Sequence, residues 1–92
     1  MNKVALLIVD LQNDFCPGGA LAVPQGDKVV PVVNDLIAIA DRRNMPILAS
    51  RCWHPEKTSH FNTHGGPWPP HCIQSTKGAE LHPDLKKPKN LV

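Results

Sequence analysis

A chain of 92 residues has room for one small domain at most. Its formal net charge of +2 gives no general attraction to nucleic acid, and the basic run at residues 86–89 is typical of a solvated loop. Three cysteines without a secretory signal indicate free thiols or metal ligands in a reducing compartment, so we expect a cytoplasmic protein. The apolar run at residues 4–9 is too short to cross a membrane, so we expect no membrane partner.

Residues 4–9 predict the first strand. The run is continuous, apolar and rich in β-branched residues, which is typical of a strand buried on both faces of a parallel sheet. Asp10 follows at the carboxyl end of this strand, where open α/β sheets bind their ligands. The alternative is that Asp10 only caps the polar turn at residues 12–14, and the two interpretations stand equal at this point.

A helix is predicted from an N-cap at Asp27 to about Arg43. Five apolar residues recur at helical spacing and form one predicted face: Val29, Val33, Leu36, Ile37 and Ala40. Residues 46–50 predict a second strand, so the first fifty residues are a β-α-β unit with a right-handed crossover. Leu91 and Val92 are expected to begin another strand.

Two parallel strands and one helix cannot bury both faces of a sheet. Either a partner, such as a second copy in a homo-oligomer, covers the open face, or the chain is the N-terminal part of a larger α/β domain. We favour the second interpretation.

The second strand leads into a long loop, residues 52–72, which holds four of the five histidines. Loops of this length are usually functional or disordered, and two Trp and one Phe argue against disorder. Three of the histidines, His54, His60 and His71, are spaced so that one loop could fold them around a metal ion. Cys52 could add a thiolate and close a tetrahedral zinc site. The alternative is that the imidazoles bond only to the backbone and that the aromatic residues merely pack the loop.

A cysteine nucleophile is the other chemistry to consider. Cys16 and Cys72 lack the setting that lowers a thiol pKa, which is a helix N-terminus with a positioned base. We therefore expect both to be small buried side chains.

Several motifs together resemble the nicotinamidases of the isochorismatase-like hydrolase superfamily. Residues 9–21 (VDLQNDFCPGGAL) are similar to the N-terminal signature of that family. Three short motifs are similar to its metal loop: Trp53-His54-Pro55, Ser59-His60-Phe61 and Trp68-Pro69-Pro70-His71-Cys72. Residues 78–83 (GAELHP) are similar to the segment that follows.

The resemblance implies a parallel, Rossmann-like three-layer α/β fold, of which residues 1–92 are an incomplete domain. It implies hydrolysis of nicotinamide to nicotinate and ammonia in NAD salvage, which is pyridine nucleotide biosynthesis. By this resemblance Asp10 is the general base, and Phe15 and Trp68 line the pocket for the ring. His54, His60 and His71 bind a divalent metal ion (Zn, Fe or Mn) that orients the pyridine nitrogen.

Two departures from the family pattern bear on activity. Cys52 stands where the family carries an Asp metal ligand, two residues before His54. The family's catalytic Lys and nucleophilic Cys have no counterpart in residues 1–92, so we expect this chain alone to be inactive. The alternatives are a small metal-binding module without catalysis, which Cys52 would favour, and a related amidohydrolase acting on another small amide.

Overall fold

The computed structural model describes residues 3–92, in which two short strands form a parallel sheet beside one α-helix. β1 spans Leu6–Val9, α1 spans Val29–Arg42 and β2 spans Ile47–Ser50. Single turns of 3-10 helix punctuate the connections, at Asn13–Phe15, Gly26–Lys28, Asn62–His64 and Lys77–Ala79. The predicted parallel α/β class is confirmed, and Asp10 lies directly beyond the carboxyl end of β1.

The core lies between α1 and one face of the sheet. Ile8 of β1 and Ile47 of β2 are buried there, and Leu11 and Cys16 extend the cluster beyond β1. Leu85 closes it from the far end of the chain. This packing fixes the carboxyl ends of both strands, and hence the loops that follow them.

The helix begins later and buries a slightly different face than predicted. Its buried side consists of Val30, Ile37 and Ala40, with Val33 partly buried beside them. The prediction is wrong at Val29 and Leu36, which are exposed; each lies directly before a buried residue and is turned about 100° around the helix from it. Asp27 lies inside a 3-10 turn and is not the N-cap, a position that Lys28 takes without a side-chain hydrogen bond. No helix within residues 3–92 is long and apolar enough to cross a membrane.

The prediction that the first strand is buried on both faces is wrong for the chain described here. Ile8 is buried, but its neighbours Leu7 and Val9 on the opposite face are 60% and 64% exposed. Residues alternate between faces along a strand, and α1 covers only one of them. The sheet therefore carries an open apolar face.

Val92 lies along the edge of β2 that faces away from β1. Its amide donates to the Ile47 carbonyl at 3.0 Å, and its carbonyl accepts from the Ala49 amide at 2.7 Å. This is the bonding pattern of a parallel strand pair, as expected for the start of a further strand. Within residues 3–92, the other edge of β1 has no strand partner.

Candidate active site

Asp10 is held by both oxygens of its carboxylate. The Ser50 hydroxyl donates to Oδ1 at 2.9 Å, and the Cys52 thiol donates to Oδ2 at 3.6 Å. The Asp10 backbone has φ 54°, a left-handed conformation that non-glycine residues seldom adopt and that is enriched at functional sites. The segments at the carboxyl ends of both strands thus fix one carboxylate in place.

The loop at residues 52–72, here called the histidine loop, is closed at its base by backbone hydrogen bonds. The His54 amide donates to the Cys72 carbonyl at 2.9 Å, and the Gln74 amide donates to the His54 carbonyl at 2.8 Å. Phe61 is fully buried within the loop and contacts two imidazoles, with ring centroids 5.4 Å from His54 and 5.5 Å from His71. The loop is therefore packed around its own small aromatic core.

The three predicted ligand histidines gather on this core. The ring centroid of His54 lies 5.0 Å from that of His71 and 5.6 Å from that of His60. Burial lowers the pKa of His54, and the neighbouring charges of His71 and then His60 lower it further. Nδ1 of His71 donates to the Pro69 carbonyl at 2.7 Å, which leaves Nε2 as the unprotonated nitrogen of the neutral ring.

The chemistry of this donor set suits a divalent metal ion, because it offers neutral imidazoles with one ring already oriented by a carbonyl. As the side chains stand, no group of three or more His, Cys, Asp or Glu within residues 3–92 is close enough to hold one. Binding would therefore require the imidazole rings to draw together.

A cavity of about 310 Å³ opens in front of the histidines. Its walls come from the segment after β1 and from the loop: Phe15, Leu21, Cys52, His54, His60, Trp68 and His71. The structure thus brings all predicted metal-loop and ring-pocket residues to one cavity. Leu21 was missed by the sequence interpretation: residues 17–19 (PGG) predict a turn just before it, but not which part of the chain it then contacts.

The cysteines of this chain are not activated thiols. Burial and the Asp27 charge raise the pKa of Cys16, and burial, the Asp10 charge and the hydrogen bond to Asp10 raise that of Cys52. Burial, followed by the Asp14 charge, raises the pKa of Cys72 to about 12. Cys16 and Cys72 are both buried, as predicted. Because a nucleophilic cysteine needs a lowered pKa, none of the three has the setting for that role.

The remaining histidines lie outside this cluster. His64 is exposed and bonds to the Thr63 hydroxyl, and His82 accepts from the Asp84 amide. Two further polar side chains, Gln12 and Asp14, contact the histidine loop and were not singled out from the sequence. The only signal for them is the short polar run at residues 12–14.

The chain matches known proteins over almost its whole length. The family model described as the isochorismatase domain matches residues 4–92. The nicotinamidase of Escherichia coli (strain K12) is 46% identical over 96 residues, covering 88% of this chain and 45% of that protein. The nicotinamidase/pyrazinamidase of Mycobacterium tuberculosis is 41% identical over 85 residues, with 88% and 45% covered. The chain spans about half the length of the curated relatives it matches.

Solved structures agree. The pyrazinamidase of Pyrococcus horikoshii in complex with zinc superposes with a TM-score of 0.91 at 49% identity, covering 96% of this chain and 48% of that one. These similarities confirm the resemblance to nicotinamidases and the isochorismatase-like α/β fold. The chain belongs to the isochorismatase domain family.

Proposed function

We propose that this chain supplies half of the active site of an amidohydrolase that converts nicotinamide and water to nicotinate and ammonia, in NAD salvage. The observation that carries the proposal is the 310 Å³ cavity, which combines two aromatic walls, three imidazoles and a fixed carboxylate nearby. A flat heteroaromatic amide needs aromatic surfaces to stack on and a polar group to fix its register.

Phe15 and Trp68 are the proposed contacts for the pyridine ring. Phe15 lies against His71 with ring centroids 5.7 Å apart, so the proposed ring pocket and the imidazole cluster share a wall. Trp68 is half exposed at the cavity mouth and has surface free to cover a ligand.

His54, His60 and His71 are the proposed ligands of a divalent metal, Zn, Fe or Mn. The zinc complex of the Pyrococcus relative supports a divalent ion here. When bound, the metal would supply a Lewis acid that holds and polarises the substrate at its ring nitrogen. Each of the three imidazoles can contribute one ring nitrogen, and the Nδ1 bond of His71 to the Pro69 carbonyl leaves its Nε2 to ligate.

Asp10 is the proposed general base. Its carboxylate would accept the proton of a cysteine thiol contributed by the part of the domain that these 92 residues do not span. The thiolate would attack the amide carbon, the proton held by Asp10 would pass to the leaving nitrogen so that it departs as ammonia, and water would hydrolyse the resulting thioester to nicotinate and restore the thiol. Ser50 and Cys52 hold the Asp10 oxygens in place for this step.

The rest of the domain has a defined place to pack. Within residues 3–92, the apolar face at Leu7 and Val9 is exposed and one edge of β1 has no strand partner. Residues 1–92 are thus proposed to be an incomplete domain, made of a β-α-β unit and the metal-binding loop 52–72. A further strand beside β1 would place its own carboxyl end next to Asp10.

A closed zinc module without catalysis is the weaker proposal. It needs Cys52 as a ligand, whereas the Cys52 thiol donates a hydrogen bond to Asp10. No observation favours another small amide over nicotinamide.

Zinc titration of the purified chain tests the proposal. One zinc per chain is expected, with binding lost in His54→Ala and retained in His64→Ala, whose imidazole lies outside the cluster. Tight binding that survives His54→Ala, or no binding in the folded chain, would overturn the metal assignment.

A further inference from the structure

The polar run at residues 12–14 has no part in the chemistry proposed above. Yet each of its side chains reaches a distant backbone group. Gln12 bonds to Cys52 and Ala79, Asn13 to Lys77, and Asp14 to Cys72. Two of the three thus contact the histidine loop, at its two opposite ends.

Gln12 holds the first end of the loop. Its side chain is fully buried, its Oε1 accepts from the Cys52 amide and its Nε2 donates to the Cys52 carbonyl, both at 2.8 Å. Nε2 also donates to the Ala79 carbonyl at 2.8 Å. The amide and the carbonyl of Cys52 are therefore both bonded to Gln12, two residues before His54.

Asp14 holds the second end. Its Oδ2 accepts from the Cys72 amide at 2.7 Å, and its Oδ1 accepts from the Ala20 amide at 3.1 Å. Cys72 has φ 48°, an uncommon conformation for a residue with a side chain. A charged acceptor on its amide helps to hold that conformation, immediately after His71. A Cβ at Gly78 would overlap the Asp14 carboxylate, so glycine leaves it room.

We propose that Gln12 and Asp14 are positioning residues for the metal site: a two-point clamp that fixes the backbone on which His54 and His71 are carried. The backbone bond from His54 to Cys72 joins the two clamped ends. With the backbone fixed, closing the imidazoles on an ion requires mainly ring rotation, so less ordering opposes binding. This inference rests on the proposed metal role of the histidines.

A purely structural role is the competing explanation, and Asn34 provides the matched control. Its side chain donates to the Asp84 carbonyl at 2.9 Å and accepts from the Lys86 amide at 2.8 Å. It thus ties a distant segment to α1 with the same kinds of bond, and it touches no part of the histidine loop.

The test measures zinc affinity, by competition with a chromophoric chelator, in the wild-type chain, Asp14→Asn, Gln12→Met and Asn34→Ala. Asp14→Asn is isosteric but cannot accept from both amides. We expect about tenfold weaker zinc binding in either clamp variant, in the range seen when groups that orient metal ligands are removed. Asn34→Ala should lower thermal stability without changing the affinity. Unchanged affinity in Asp14→Asn, or an equal loss in Asn34→Ala, would overturn the clamp.

Amide hydrogen exchange of the metal-free protein separates this inference from the metal proposal. The clamp predicts faster exchange at the His54, Cys72 and Gln74 amides in Asp14→Asn, with exchange in α1 unchanged. If wild type binds no zinc but these amides respond, the metal proposal fails and the clamp stands as a loop-positioning device only. If they do not respond in Asp14→Asn, the clamp itself is wrong.

Discussion

Cys72 follows a proposed metal ligand directly, yet its thiol should be close to inert. It is fully buried, and burial with the nearby Asp14 charge raises its pKa from 9.0 to about 12. At pH 8 a thiol of pKa 9 is ionised in about one molecule in ten, and one of pKa 12 in about one in ten thousand. Since only the thiolate is nucleophilic, alkylation of native Cys72 should be about a thousandfold slower than in the unfolded chain.

The assay is iodoacetamide labelling at pH 8, with and without urea, followed by mass spectrometry at each cysteine. Global unfolding would label Cys16, Cys52 and Cys72 at one common rate, whereas labelling of the native state should favour the half-buried Cys52. A native Cys72 rate within tenfold of the unfolded rate, under conditions where Cys16 stays protected, would refute the reasoning.

The same shift has a consequence for stability. Because the folded-state pKa lies above the unfolded one, the contribution of Cys72 is fully present below pH 9 and is lost as the pH rises toward about 12. Three pKa units correspond to about 4 kcal/mol, as an order of magnitude. The unfolding free energy measured in urea should therefore fall more steeply with pH over this alkaline range for the wild-type chain than for Cys72→Ala. Equal slopes for the two proteins would contradict the shift.

Three further perturbations address the histidine loop. Because the pKa of His54 is lowered by folding, the unfolded chain binds this proton at a higher pH than the folded chain, and the unfolding free energy of the metal-free protein should fall as the pH drops below about 6.5. Urea unfolding at a series of pH values should show a smaller fall in His54→Gln but not in His64→Gln. Phe61→Ala removes the buried ring beneath two imidazoles and should lower the unfolding free energy by about 3–5 kcal/mol, and Phe61→Leu should lower it clearly less. A loss below about 1 kcal/mol in urea unfolding would show that the loop does not pack on this ring. Cys52→Asp replaces a thiol donor by a carboxylate facing Asp10. The metal-free protein should therefore lose thermal stability at neutral pH, while zinc binding is retained. Loss of zinc binding in this variant would identify Cys52 as a ligand.

The local elements of this fold could be predicted because local patterns determine them. β1 was predicted from the apolar run before Asp10, and α1 from the spacing of Val33, Ile37 and Ala40. Each pattern lies within its own segment of the chain. Burial of Leu7 and Val9 could not be predicted in the same way, since it depends on what packs against the open face.

In the candidate site, too, the residues in local motifs could be predicted, whereas those that act through distant contacts could not. Histidine density and the short motifs around His54 and His71 pointed to one cavity, and the structure gathers those residues there. The roles of Gln12 and Asp14 could not be predicted from sequence, because their partners Cys52, Ala79 and Cys72 lie 40 to 67 residues away and only the folded chain brings them together. Hydrogen bonds from side chain to distant backbone leave no periodic signal.

We propose that these residues hold the ring-binding and metal-binding half of a nicotinamidase site and that the nucleophile lies elsewhere in the domain. Ammonia release from nicotinamide tests it most directly. The measurement compares the 92-residue chain with a chimera in which it is joined to the part of the Pyrococcus pyrazinamidase that it does not cover. We predict no turnover by the chain alone, turnover by the zinc-loaded chimera, and none when the chimera carries Asp10→Asn. Turnover by the chain alone at an enzymatic rate, or undiminished turnover by the Asp10→Asn chimera, would contradict the account.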